Sequence, residues 1–404
     1  MNVLFLSIYE IKNSNSGYIY ADLIKEFSKH NHNVYAVTPT TSGESESFID
    51  ENGVHIIRVK SGTIQKTGKI KKALNLMLFD SKVIKAVNKE AKGVKFDLIF
   101  TMVANLSLYS ATKYFKKKHK AYVYMSIKDI LPHNAVDMGM IKKKGLSSLI
   151  YAFYRNREKS YYKISNKIGC MSQANCNFIL QKNPQLEQKK VEVQYNSAIP
   201  AHFNLSNEEK VLMRNKYGIP LDKKVFVYGG NLGKPQGIPF IMECLETQKN
   251  NEDVFFLIVG SGTEYSKLEE YSKTASNLKL MKALPREDYD KMIGACDVGL
   301  IFLDYSFTVP NFPSRLLSYM QAKLPVLAVT DLSSDVGKVI TNGGFGWWCK
   351  SNSVLDFKNC INLAANADCA SMGETAKKYL ESEFSTELSY EVIMKSFGEN
   401  KETI

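Results

Sequence analysis

The chain is poor in the residues that build redox, metal and membrane-spanning devices. Its seven cysteines, at 170, 176, 244, 296, 349, 360 and 369, form an odd, scattered set with no C-x-x-C spacing and no paired histidines. That pattern predicts free thiols and supports neither a disulfide framework nor a zinc site. No run reaches about 18 consecutive apolar residues, which argues against a spanning helix. Low-complexity tracts and fixed-period repeats are missing as well. The opening "MNVLFLSIYE" has no basic n-region and no small-residue cleavage site. It reads as a first buried strand rather than a signal peptide, and a cytoplasmic protein is expected.

What is present is a folded composition: 44% hydrophobic and 23% charged over 404 residues, enough for two domains of ordinary size. The net charge of +12 is unevenly spread. Residues 1–200 carry 31 Lys and Arg against 15 Asp and Glu, whereas residues 201–404 carry 22 against 26. The two halves are therefore expected to meet different partners. Without a recognised module or an aromatic-basic platform, nucleic acid is not expected to be one of them.

Apolar runs of strand length alternate with helical periodicity along most of the chain. "NVLFLSI" (2–8), "NVYAVTP", "FDLIFTM" and "AYVYMSI" read as strands of a doubly wound parallel sheet, and the pattern restarts at "KKVFVYGG" (223–230). The expected fold is α/β: two Rossmann-like doubly wound domains, 1–200 and 201–385, facing a cleft. Residues 386–404 read as a C-terminal helix crossing back to the first domain. The boundary falls in "YNSAIPAHFNLSNEEK", where Asn, Ser and Pro cluster and periodicity lapses.

Two loops of the second half can hold an anion. In "VPNFPSRLLSYMQAKLPVLAVT" (309–330), Pro313 suits a first helical position, which would leave the N–H groups of Ser314, Arg315 and Leu316 pointing outward beside a guanidinium. An ordinary proline-started helix with a surface arginine would look the same. In "VYGGNLGKPQG", Gly229, Gly230, Gly233 and Gly237 surround Lys234 in a strand-to-helix loop, where a backbone can approach phosphate closely. "GGFGWWCK" (343–350) reads as packing near a late strand.

The run "GGNLGKPQGIPFIMECL", "FFLIVGSGTEYSKLEEY", "LKLMKALPREDYDKMIGACDVGLIFL", "FPSRLLSYMQAKLPVLA" resembles, in order and spacing, the nucleotide-sugar domain of family 4 retaining glycosyltransferases, which have the GT-B fold. "SGYIYADLIKEFSKHNHNVYAVTP", "DILPHNAVDMG" and "IGCMSQANCNFILQKNP" look like a branch that builds bacterial capsule, O-antigen or exopolysaccharide units. The resemblance implies a sugar-nucleotide diphosphate against the backbone of Ser314, Arg315 and Leu316, faced by Gly17 from the first domain. Members commonly have an Arg and a Lys where this chain has Asn231 and Gln236, so Lys234 and Arg315 are expected to share that charge. Two glutamates of many members are replaced by Pro310 and Ser318; Ser318 still offers a hydroxyl to a ribose.

The implied reaction is transfer with retention from a nucleotide-diphosphate sugar, UDP by branch resemblance with GDP as the alternative, to a lipid-linked (polyprenyl diphosphate) saccharide. No cofactor or metal is required on this reading, because cations and a helix N-terminus stabilise the departing diphosphate. Where many members have a histidine beside the sugar, "YMSIKDILPHNA" places Lys128 and Asp129, with His133 a turn further. Asp129 is expected to orient the acceptor or act as base, and His133 is second. The other histidines, 30, 32, 55, 119 and 202, are expected in solvent. Competing readings are a two-domain nucleotide-sugar epimerase and a non-catalytic nucleotide-sugar-binding scaffold. The basic first half implies peripheral attachment to the anionic inner face of the cell membrane. Its densest stretch, 66–90, has seven lysines and apolar positions that include Leu74, Leu76, Met77, Leu78, Phe79, Val83 and Ile84. These either dip into the interface or pack on the sheet.

Overall fold

A computed structural model describes the chain except residues 18, 42–43, 62–68, 104–105, 146, 201–204 and 402–404, with side chains omitted at 69–77 and 400–401. The chain divides into two compact units, residues 1–199 with 385–404, and residues 200–384.

The first unit is built on eight strands: β1 (Asn2–Leu6), β2 (Asn33–Thr40), β3 (Glu46–Ile49), β4 (His55–Lys60), β5 (Leu98–Val103), β6 (Tyr122–Ile127), β7 (Lys167–Cys170) and β8 (Val191–Val193). They lie in the order β3-β4-β2-β1-β5-β6-β7-β8, all parallel except the β3–β4 pair. Side chains alternate across a strand, and here both faces are covered. Val3, Phe5, Leu98 and Phe100 pack on one face with Ile24 and Phe27. Leu4, Leu6 and Ile99 pack on the other with Phe79, Val83 and Val87.

That second layer decides the reading of residues 66–90 as far as side chains are described. Phe79 and Val83 are buried against the sheet while Lys82, Lys85 and Lys89 face solvent, so residues 79–90 of the helix Lys69–Glu90 pack rather than dip, and of the helix's described apolar positions Leu78 alone is left exposed, at 51%. Leu74, Leu76 and Met77 lie outside the described side chains. The helix Thr386–Lys401 belongs to the first unit, with Ile393 and Phe397 in its core. Two histidines expected in solvent hold this helix: His30 stacks on Tyr390 at 4.1 Å, and His32 Nε2 lies 2.9 Å from the Tyr390 hydroxyl. His55 likewise stacks on Tyr35.

The second unit has six parallel strands: β9 (Lys224–Asn231), β10 (Val254–Ser261), β11 (Leu278–Lys282), β12 (Val298–Phe302), β13 (Val326–Thr330) and β14 (Gly346–Lys350), ordered β11-β10-β9-β12-β13-β14. Phe226, Phe256, Leu300 and Leu327 centre the core of one face, closed by the helix Val354–Ala365 through Phe357 and Ile361. The tryptophan pair is packing: Trp347 lies against that core, and Trp348 Nε1 donates to Thr330 Oγ1 at 2.9 Å. All seven cysteines are free thiols. In each sheet the chain reverses its direction of growth at one point, between β1 and β5 and between β9 and β12. The loops leaving the carboxyl ends there diverge and open a crevice.

Removing the Ile393 side chain beyond Cβ should test how firmly the last helix is docked. Ile393→Ala is expected to destabilise the first unit by about 2–5 kcal/mol in urea unfolding. The transition of the second unit should not move.

Candidate functional site

At the switch point of the second sheet, β9 ends in Tyr228-Gly229-Gly230-Asn231, and the loop from β12 leads through residues 303–314 into the helix Arg315–Gln321. Ser314 is the N-cap of that helix, so Pro313 stands two residues before it rather than opening it. The Leu316 N–H is consequently taken by Pro313 O at 3.2 Å, and Leu317 N–H by Ser314 O at 3.1 Å. Only the N–H groups of Ser314 and Arg315 are left without an acceptor among the described residues.

Arg315 is half-buried, not the exposed helix-start residue that its position suggests. Its guanidinium carbon lies 4.2 Å from the centroid of the Tyr228 ring, a stacked cation–π contact. Gly230 lies directly against it: a Cβ built there would come 3.4 Å from Arg315 Nη2, and the backbone at φ +123° is one that side chains disfavour. Two further tyrosines close the pocket. The Tyr319 hydroxyl accepts the Gly229 N–H at 3.1 Å and donates to Leu300 O at 3.0 Å. The Tyr289 hydroxyl occupies the space that a Cβ on Gly229 would need. Burial pushes the Tyr319 hydroxyl up to about 12, so it stays neutral near pH 7.

No acid answers this guanidinium. The chain has six arginines. Arg58, Arg155, Arg157, Arg214 and Arg286 each pair with a carboxylate, whereas Arg315 has no ion-pair partner among the described residues. Its Nη1 is buried without a hydrogen-bond acceptor there. A buried donor left open is costly unless something arrives to accept from it.

The rest of the expected second-unit site gathers around the same strand end. Asn231 Nδ2 and the Gly233 N–H both donate to Gln236 Oε1, at 2.9 and 3.1 Å. Asn231 and Gln236 thus shape the loop instead of charging it, and Tyr228 Oη ties it down by donating to Asn231 O at 2.7 Å. Lys234 is exposed. Ser318 lies one turn along the helix from Arg315, half-buried. The segment before the helix is braced from β13: Asn311 N–H donates to Ser334 Oγ, which donates to the buried Asp331 carboxylate, and Phe312 stacks on Phe384.

In the first unit, Gly17 stands at φ +64° in the loop after β1, and Lys128 and Asp129 follow β6 on the same sheet edge. Asp129 is exposed and accepts from Asn134 Nδ2 at 3.2 Å. His133 corrects the expectation. It is buried at 5% exposure, edge-on to Phe178 at 5.3 Å and 4.0 Å from Glu158. Burial, with Arg155 adding to it, lowers its pKa to about 4, so it packs as a neutral ring. Lys128, five residues before it in sequence, is the more unusual group: buried, 3.5 Å from Gln194 Oε1 and 5.7 Å from the Tyr20 ring, with burial drawing its pKa down to about 7.

Sequence reasoning missed Tyr228, Tyr289 and Tyr319. Tyr319 stands four residues after Arg315 and so shares its helix face, a signal available in the spacing. Tyr289 comes from the separate helix Arg286–Ile293, and no local pattern marks it.

Residues 209–379 match the family model described as glycosyl transferases group 1. The match covers most of the second unit and less than half of the chain. Among curated proteins, the chain is 23% identical over 274 residues to the probable glycosyltransferase WbjE of Pseudomonas aeruginosa, covering 66% of this chain and 65% of that protein. It is 27% identical over 103 residues to WcaI of Escherichia coli strain K12, named for colanic acid biosynthesis, covering 26% of this chain and 25% of that one. The chain thus spans less than two thirds of either relative's length. Among solved structures, Anabaena Alr3699/HepE in complex with UDP and glucose superposes with a TM-score of 0.70 at 15% identity, covering 99% of this chain and 100% of that one. That likeness establishes the fold as GT-B, and the residues that match the family model lie in its second Rossmann-like unit.

Tyr319→Phe should show how much of this domain's strand end hangs on one hydroxyl. Stranding the Gly229 N–H and the Leu300 carbonyl is expected to cost about 1–3 kcal/mol in the unfolding of this unit.

Proposed function

We propose that the protein is a retaining glycosyltransferase that moves a sugar from a nucleotide diphosphate, UDP in preference to GDP, to a lipid-linked saccharide at the inner face of the membrane. The observation that carries this reading is Arg315: one arginine without a carboxylate, stacked on Tyr228 at the end of β9, with the Ser314 and Arg315 N–H groups beside it. This arrangement suits the diphosphate of a sugar nucleotide. As the anomeric bond breaks, negative charge grows on the leaving phosphate, and donors already fixed in place stabilise it without reorganising. Gly230 and its neighbours allow that phosphate close to the backbone.

No metal is called for in this scheme, because the guanidinium and the two N–H groups supply the positive end. Without an enzymic nucleophile, the departing phosphate takes the acceptor's proton. Lys128 and Asp129, at the carboxyl end of β6, are the first-unit groups assigned to acceptor and sugar. A UDP-bound protein of the same fold supports the choice of donor, and a relative named for colanic acid biosynthesis supports the choice of pathway.

The test is turnover of UDP-, GDP- and dTDP-sugars, read with thermal stabilisation by the nucleotides; at 100 times its dissociation constant the right one adds about 2.7 kcal/mol. Arg315→Ala should lower turnover by about 10²–10³-fold. Arg315→Lys should restore little, since a point charge cannot replace a planar group stacked on a ring. An Arg315→Ala protein that turns over at the parent rate would remove the assignment.

A further inference from the structure

Residues 138–157, "MGMIKKKGLSSLIYAFYRNR", hold five cations and not one Asp or Glu. They lead into the helix Ser148–Ile164, whose inner face is committed: Tyr151 meets His133 at 6.3 Å, and Glu158, Tyr161 and Tyr162 are buried. Its outer face is not. Leu149 is 74% exposed, Phe153 52% and Ile150 45%, and Met140 in the preceding loop is 62% exposed. Phe153 stands four residues after Leu149 and three after Ile150, spacings that share a helix face, so the three form a single apolar strip. The Lys142 N–H donates to Ser147 Oγ and that hydroxyl donates back to Lys142 O, both at 3.1 Å, which pins the run Lys142–Lys144 to the same end of the helix. All three lysines are exposed. Cations at the positive end of a helix dipole gain nothing from the fold.

We infer that this end of the helix is a membrane-insertion site, with Leu149, Ile150 and Phe153 entering the headgroup–acyl boundary of an anionic bilayer and Lys142, Lys143 and Lys144 holding lipid phosphates beside them. An apolar strip bordered by lysines matches what an interfacial segment needs. A second copy of the chain fits poorly, since apposing two such faces would set cation against cation. The lack of any acid over twenty residues leaves an anionic surface as the complementary partner. The inference deepens the membrane part of the proposed function and moves attachment away from residues 79–90, whose apolar side chains are spent on the sheet.

Flotation of the full chain with phosphatidylcholine vesicles, with and without phosphatidylglycerol, tests it. The parent should float only with the anionic vesicles. Leu149→Ser/Phe153→Ser should lose about tenfold in partition, a difference near 1.4 kcal/mol, with an unchanged melting temperature. Lys142→Ala/Lys143→Ala/Lys144→Ala should lose binding chiefly at low salt. Phe153→Trp should shift its emission to the blue on anionic vesicles beyond the baseline set by Trp347 and Trp348. Parent-like flotation of the serine variant, no flotation of the parent, or a parent dimer that the serine variant dissociates would each overturn the site. Nucleotide stabilisation of the same preparation without vesicles reports on the transferase reading separately, so either can fail alone.

Discussion

A guanidinium over a tyrosine ring, with no acid beside it, is the contact on which the second unit's design turns. Stacking on Tyr228 returns about 0.5–2 kcal/mol. Taking a cation partly out of water costs more than that unless it is paired. In the other five arginines the fold supplies the pair. At Arg315 it supplies rings, two glycines and open N–H groups instead, which is why the proposed function puts an anionic ligand there. On that proposal binding and stability are linked at this point, since a ligand that restores the missing charge would stabilise the whole unit.

The surrounding structure keeps that arrangement from relaxing. A guanidinium without a partner would swing toward water if its neighbours yielded. Tyr319 fixes the end of β9 to β12 through its hydroxyl, and Gly299 makes room for its ring: a Cβ there would fall 2.4 Å from Tyr319 Cγ. Asp331 holds Ser333 and Ser334, and Ser334 holds Asn311, so the loop entering the helix is anchored from β13. Preorganisation of this kind is what lets fixed dipoles and charges act on a transition state.

Much of this was legible in the sequence because it follows from period and composition. The apolar run at Val3–Leu6, the restart at Lys224 and the proline-led helix at 315 locate two doubly wound sheets and the loop that leads into that helix. Element ends were less legible: Pro313 looks like a first helical residue, yet the helix begins at Arg315, which changes which N–H groups are free. The least legible features came from contacts distant in sequence. Nothing local says that Tyr289 will fill the space over Gly229, or that His133 will be drawn inside against Phe178 while Lys128 is buried beside Gln194. Charge and apolarity can be counted along a chain, but the face they end on is set by packing.

The first unit shows the same limit with greater consequence. Two stretches there combine lysines with apolar residues, 66–90 and 138–157, and by composition the first is the stronger membrane candidate. Packing reverses the order. Phe79, Val83 and Val87 fill the space against Leu4, Leu6 and Ile99, so over residues 79–90 the exposed side chains are polar or charged: Ser81, Lys82, Lys85, Lys89 and Glu90. In the helix Ser148–Ile164 the inner face is satisfied by Tyr161, Tyr162 and Glu158, which leaves Leu149, Ile150 and Phe153 with no core to join. Apolar area that the fold does not bury is what an interface can use, and its place beside three lysines gives the basic half of the chain a direction as well as a charge.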